Sequence, residues 1–199
     1  MTRLRERSTT TAGGKKFAGT DAERKEMEAL GIRPGDSDAP ADRPSVRQSP
    51  QVPRRLVRSS DILNEATDYH PIPSSFSRGL RVPLGPEVDA LYLSGTASID
   101  DEGRTIHVGD LRAQTWRTLR NLTRLLESEG ASWHDIVRTS CYLRDIERDY
   151  DEFNRVRTAF YRAMRLDPVP ASTGIQARLC RSDLLVEIEA FAFVRSGKA

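Results

Sequence analysis

Two cysteines, Cys141 and Cys180, are too few for a disulfide framework in a chain of 199 residues. They predict free thiols in a reducing compartment. Only three histidines are present, His70, His107 and His134. Their scattered positions lack the spacing of a ligand set, so neither a metal nor any other cofactor is expected. No apolar run approaches the ~20 residues that a membrane span needs. An apolar secretory core is missing from the N-terminus. Together these lacks predict a cytoplasmic protein without membrane contact. Charge of one sign is also lacking: the formal net charge is +2. Without a chain-wide basic field, nucleic acid is not the expected partner.

Aromatic residues are scarce in the first 60 positions, where only Phe17 represents the 13 in the chain. The same stretch holds five of the 11 prolines, 13 Lys/Arg and 8 Asp/Glu. Such a segment buries too little apolar surface to offset the entropy of ordering. It is read as a mostly extended, mobile N-terminal arm over 1–60. One short helix over 21–30 is expected within it, capped by Thr20 and ended by Gly31. Its apolar face, Met27 and Leu30, is thin. Gly13-Gly14-Lys15-Lys16 is not a phosphate loop, because no strand and helix flank it. The arm is either a solvated tail or a docking element for a protein partner.

Residues 61–199 read as one α/β domain. Strands are expected over 76–82 and 90–95, joined by a turn at Leu84-Gly85-Pro86. Asp110 caps a helix in which Trp116, Leu119, Leu122 and Leu126 recur at helical spacing, and Gly130 ends it. A β-branched and aromatic run predicts a strand over 136–143. Phe153, Val156, Phe160 and Met164 form the inner stripe of a second helix over 150–164. On a final strand over 184–194, Val186, Ile188, Ala190 and Ala192 face one way. Glu187, Glu189, Phe191 and Phe193 face the other. Two helices can cover only one face of this mixed sheet. Phe191 and Phe193 on the other face need a partner, so a homo-oligomer is expected.

Several short motifs follow one another over about 69–194. They are Leu93-Ser94-Gly95, Gln114, Asn121, Asp145, Phe153-Asn154, Pro170-Ala171-Ser172 and Val186-Glu187-Ile188-Glu189-Ala190. Their order and spacing resemble the RidA/YjgF family. The resemblance implies a chorismate-mutase-like α/β fold, a homotrimer, and ligand pockets where subunits meet. Among the enamine/imine deaminases of that family an arginine directly follows Pro-Ala and pairs with the substrate carboxylate. Here that place is Ser172, and the family cysteine two positions further on is Gly174. Arg78, Arg178 and Arg181 are the cations left to reach a pocket. Phe76 follows a loop that borders the ligand in RidA-like proteins, and packing competes with that role.

A second resemblance is to the RidA-like part of the chorismatases, which cleave the enolpyruvyl ether of chorismate. It is carried by Leu93-Ser94-Gly95-Thr96-Ala97-Ser98-Ile99, His107-Val108-Gly109-Asp110 and Cys180-Arg181-Ser182-Asp183-Leu184-Leu185-Val186-Glu187-Ile188-Glu189. It implies Glu187 as the acid and Cys180 beside it. Chorismatases carry a further related subdomain where this chain has its arm.

Hydrolysis of an enamine or enol ether begins with protonation of carbon. That needs a carboxylic acid still protonated near neutral pH, and burial or a neighbouring carboxylate raises a glutamate in that direction. Glu187, two residues from Glu189 and on the face of two phenylalanines, meets both conditions. The competing reading makes Glu187 a salt-bridge partner and Cys180 a small buried hydrophobe. Asn154 either satisfies backbone groups between helix and sheet or adds polarity to a pocket. The expected protein is a small-molecule hydrolase or deaminase for a carboxylate-bearing substrate, with backbone N–H groups near Gly95 as further donors. The alternative is a non-catalytic trimer that binds a metabolite or partner.

Overall fold

The computed structural model describes residues 20–29, 52–59, 62–64 and 75–196. The chain divides into two units, Met1–Gln51 and Val52–Ala199. In the first, helix α1 spans Asp21–Ala29, where a helix is expected. Leu30 and Gly31, like residues 1–19 and 32–51 of the arm, lie outside the described ones.

The second unit carries six strands: β1 (Arg55–Leu56), β2 (Gly79–Pro83), β3 (Val88–Ala97), β4 (Ile136–Leu143), β5 (Ala171–Gln176) and β6 (Val186–Arg195). Two long helices, α2 (Leu111–Ser128) and α3 (Ile146–Ala163), join them. The order across the sheet is β1-β2-β3-β6-β4-β5. All neighbours are antiparallel except β4 and β5. A parallel pair needs a long crossover, and α3 is that crossover.

Local chemistry sets the boundaries. The Asp110 carboxylate accepts the Ala113 N–H at the start of α2, and Asp145 accepts Arg148 N–H at the start of α3. This second cap starts α3 at Ile146, four residues before the expected position. Gly130 leaves α2 with φ +66°, a conformation that glycine adopts without strain. The final strand begins at Val186 rather than at 184.

Both helices lie on one sheet face, α2 against β3 and β6 and α3 against β4 and β5. Leu91, Leu93, Cys141, Val186, Ile188 and Ala192 meet Leu119, Leu122, Leu126, Phe153 and Phe160 in one core. Trp116 is a correction: it is 51% exposed and only its edge meets Phe160, at 5.8 Å between ring centres. The inner positions beside it go to Thr115 and Thr118, both buried. Met164 caps α3 at its C-terminus instead of filling the stripe.

Residues 52–59 differ from the expected extended arm. Arg55–Leu56 pairs with β2, and Val57 and Ser59 are buried. Arg55 donates both of its outer nitrogens to Glu129, at 3.1 and 2.5 Å. Arg81 reaches the same carboxylate at 3.3 Å and Asp89 at 2.6 Å. The Glu129 side chain is only 3% exposed, so its charge depends on these partners. One ionic cluster thereby ties the N-terminal edge of the sheet to the end of α2. Glu129→Ala is expected to cost about 1–3 kcal/mol, mainly through Arg81, because Arg55 is largely in water. Hydrogen exchange over residues 54–58 should accelerate in that variant while the central strands keep their protection.

Candidate active site

Neither α2 nor α3 packs on the other face of the sheet. Tyr92, Phe191 and Phe193 stack there, with ring centres 4.7 and 5.0 Å apart. Tyr92 is 51% and Phe193 43% exposed. Beside them β3 is irregular. Leu93 pairs with Ala190 and Thr96 with Ile188, so Ser94 and Gly95 together oppose the single residue Glu189. This is a β-bulge, which bends a strand and re-aims its side chains. The Ser94 amide donates to Arg78 O at 3.0 Å and its hydroxyl to Ser77 O at 2.6 Å. The Ser94 N–H is therefore already used and is not one of the expected backbone donors near Gly95.

The bulge makes room for Glu187. A Cβ on Gly95 would stand 1.9 Å from Glu187 Oε1. Glu187 is half-buried on β6, opposite Tyr142 of β4 and Ala97 of β3. Burial pushes its carboxyl above the usual range. The Arg78 guanidinium opposes that shift, and the Glu189 carboxylate adds to it. Arg78 is buried, donates to Asn64 O and Oδ1 at 3.0 and 2.9 Å, and lies 5.3 Å from the centre of the Phe76 ring. Burial raises the Tyr142 hydroxyl, as does its hydrogen bond to Glu189. A cavity of about 260 Å³ opens next to this group, with Tyr92, Ser94, Arg138, Ser140, Glu189 and Phe191 in its wall.

Glu187, Gly95, Arg78 and Phe76 thus gather on the open face. Ser172 and Asn154 do not join them. Ser172 sits on edge strand β5, in register with Thr139. Its hydroxyl bonds Thr139 Oγ1 at 3.1 Å and lies 3.7 Å from the Cys141 sulfur, which belongs to the core under the helices. From α3, Arg157 Nη1 donates to Ser172 Oγ at 2.9 Å and Nη2 to Asn154 Oδ1 at 2.5 Å. Asn154 therefore holds a guanidinium, where a link to backbone groups is the expected structural role. The two groups occupy opposite faces of the sheet.

Cys180, Arg178 and Arg181 precede β6 on the segment 177–185. Cys180 is exposed, and among the described residues no hydrogen bond links it to Glu187. Six residues lie between the two, and five of them precede the strand, so strand alternation does not set their relative facing. Arg178 is exposed. Arg181 Nη1 donates to Gly103 O at 2.5 Å and lies 3.3 Å from Thr105 Oγ1. Its carbonyl accepts from Arg144. It fastens one loop to another. Gln114 holds the same segment by bonding Asp183 O and Leu185 N, each at 2.8 Å. Asn121 fixes the end of β3 through Ala97 O and Ile99 O. Arg157, Arg138 and Tyr142 are absent from the sequence-based site. Only the i, i+3 spacing of Asn154 and Arg157 could have signalled the first of these. Among the described residues no cluster of His, Cys, Asp or Glu is placed to hold a metal ion. No helix there is long and apolar enough to cross a membrane.

A family model described as Endoribonuclease L-PSP matches residues 76–194. A RutC family protein of Pyrococcus abyssi is 31% identical over 117 residues, which are 56% of this chain and 88% of its own. A 3-aminoacrylate deaminase RutC of Acinetobacter baylyi is 33% identical over 122 residues, 58% of this chain and 93% of its own. Among solved structures, E. coli TdcF with bound serine aligns with a TM-score of 0.57 at 22% identity, over 71% of this chain and 99% of that one. The E. coli YjgF gene product aligns with a TM-score of 0.54 at 23% identity, over 69% and 97%. At these identities the structural likeness shows the fold alone.

Two outcomes follow from the geometry around Glu187. A raised carboxyl makes the folded state hold its proton more tightly than the unfolded state. Stability contributed by Glu187 then falls as pH rises from the ordinary glutamate range through the folded value. Glu187→Gln should unfold at a higher temperature than wild type at pH 8 and lose that advantage at pH 4. Gly95→Ala should displace the carboxylate and cost about 1–3 kcal/mol. In Glu187→Ala the same change should cost much less, and a double-mutant cycle of thermal unfolding reads that difference.

Proposed function

Because this chain belongs to the endoribonuclease L-PSP (RidA/YjgF) family, we propose that it is a small-molecule enzyme that hydrolyses an enamine, an imine or an enol ether. The proton donor in this reading is Glu187. The observation that carries it is the half-buried Glu187 carboxyl, raised by burial and seated against the Gly95 backbone. The deaminase name of the Acinetobacter baylyi relative supports the same class of chemistry.

Protonated Glu187 gives its proton to the β-carbon of an enamine. The π electrons form that C–H bond and leave an iminium. Water adds to the iminium carbon and passes a proton to the Glu187 carboxylate. The same group protonates nitrogen, which leaves as ammonia with the C–N electrons. The remaining hydroxyl loses its proton to Glu187 as the carbonyl forms, and the acid is restored. An enol ether follows the same course with an alcohol as leaving group. Two features suit the first step: the aromatic wall of Tyr92 and Phe191 lowers the local dielectric, and the Tyr142–Glu189 pair sits beside the acid.

The site is completed by a second protomer in this proposal. Glu187 on the open face and the Ser172 edge cannot meet within one chain. The exposed Tyr92 and Phe193 are the surface that a neighbour covers, and a cytoplasmic homotrimer is the proposed assembly. Cys180 stays a candidate helper only from a neighbouring protomer. Residues 1–51 are proposed as a docking element, and deleting them should remove any captured partner without changing turnover. The uncharged Ser172 also favours a second reading, a trimer that binds a metabolite without turnover.

Screening enamines generated in solution, imines and chorismate-like ethers by mass spectrometry tests the proposal. Glu187→Gln should lower turnover by about 10²–10⁴-fold, the range of one general acid, with the trimer intact by light scattering. An unchanged product profile removes Glu187 from the chemistry. No turnover of any such compound by the wild type leaves the binding reading.

A further inference from the structure

Asn64 lies ahead of residues 76–194, the stretch that the family model matches. Its surroundings fix it firmly. The Ile62 and Leu63 N–H groups both donate to Ser59 O, at 2.7 and 2.8 Å, which closes a turn. Leu63 is fully buried in the main core, and Arg124 of α2 donates to Ile62 O at 3.2 Å. The Asn64 amide packs against Gly103, where a Cβ would stand 2.4 Å from Nδ2 and 2.6 Å from Oδ1. Gly103 itself has φ +78°, so both the space and the backbone there call for glycine.

Both acceptors of Asn64 meet one guanidinium. Arg78 Nε donates to Asn64 O at 3.0 Å, and Nη2 donates to Oδ1 at 2.9 Å. Together they take one edge of the planar fork, which cannot swivel without losing a bond. The two acceptors are uncharged, so these bonds hold the positive charge without cancelling it. The backbone of Arg78 is tied to the bulge, because its carbonyl accepts the Ser94 N–H. That bulge is also the seat of Glu187.

The charged or titratable groups that face Glu187 are Arg78 ahead of β2, Glu189 on β6 and Tyr142 on β4. From β3 come Gly95 and Ala97, which have no titrating proton. Arg78 is the positive charge of this set. Coulomb energy rises as distance shortens and as water withdraws, so a half-buried acid is sensitive to where one guanidinium stands.

We propose that Asn64 is a positioning residue for the Glu187 acid: it clamps the Arg78 guanidinium behind the bulge, so that one positive charge is held at a set place near the carboxyl. An acid works best when its proton is held neither too loosely nor too firmly, and the clamp guards against the second. That Glu187 is a catalytic acid rests on the enzymatic reading above. The clamp itself rests on the geometry of Asn64, Arg78 and Gly103.

NMR titration of the full chain, isotope-labelled at the glutamate carboxyl carbons, tests the proposal. The Glu187 signal is the one lost in Glu187→Gln. Asn64→Ala frees one arm of the fork and should move the Glu187 midpoint to higher pH. Gly103→Ala pushes the Asn64 amide aside, leaves every titratable side chain unchanged, and should move the midpoint the same way. That variant decides the matter if Asn64→Ala does not fold. Arg78→Gln removes the charge and should give the largest upward shift, to which Asn64→Ala should add nothing. A midpoint unmoved or lowered in folded Asn64→Ala or Gly103→Ala overturns the clamp, and so does a further rise when Asn64→Ala is added to Arg78→Gln. For any compound turned over, the alkaline limb of the kcat profile should move up with the midpoint in Asn64→Ala. A limb that stays while the midpoint rises would sink the acid and leave the clamp standing.

Discussion

One extra residue in β3 shapes the open face of this domain. Where Ser94 and Gly95 together oppose Glu189, the strand loses its regular pairing, and the space beside Gly95 is taken by the Glu187 carboxylate. A side chain at position 95 would occupy the same volume, so the acid and the glycine depend on each other. The bulge also bonds back to Ser77 and Arg78, bringing the buried guanidinium of Arg78 within electrostatic reach of Glu187. Burial, one like charge and one opposite charge then act on a single carboxyl. Burial prevails, so the group favours its protonated form more than a glutamate in water does.

The sheet keeps Glu187 and Arg157 on opposite faces. Glu187 and Glu189 lie on the side without helices, with aromatic neighbours. Arg157 lies on the other side at the β5 edge, held by uncharged partners. On β6 alternation turns Glu187 and Glu189 away from Val186 and Ile188, while Arg157 comes from α3 on the helix-bearing side. In the proposed assembly the β5 edge of one protomer would meet the open face of another. The same packing would cover Tyr92 and Phe193, so the proposed trimer would serve stability and chemistry through one surface.

Much of the architecture is legible from local signals. Asp110 and Gly130 bound α2 because a carboxylate satisfies free amides and a glycine accepts positive φ. The alternation Val186, Ile188, Ala190, Ala192 against Glu187, Glu189, Phe191, Phe193 identifies the buried and open faces of β6 from composition alone. Misreadings arise where tertiary contacts compete with pattern. Trp116 fits the helical stripe, yet it is half-exposed, and the buried Thr115 and Thr118 take the inner positions. Arg55–Leu56 is too short and too charged to read as a strand. It becomes one because β2 offers an unpaired edge and Glu129 a buried carboxylate.

The candidate site divides in the same way. That Glu187 lies on a strand face with apolar neighbours, and that Ser172 brings no charge to its position, follows from the order of residues, because period and side-chain chemistry are local properties. Which cation stands at Ser172 does not. Arg178 and Arg181 are near in sequence to Glu187 but turn to solvent or to another loop, while Arg157 arrives from a helix whose crossover places it over β5. Distances between groups far apart in the chain are set by how helices and strands pack, and only the folded arrangement of α3 on β4 and β5 decided them.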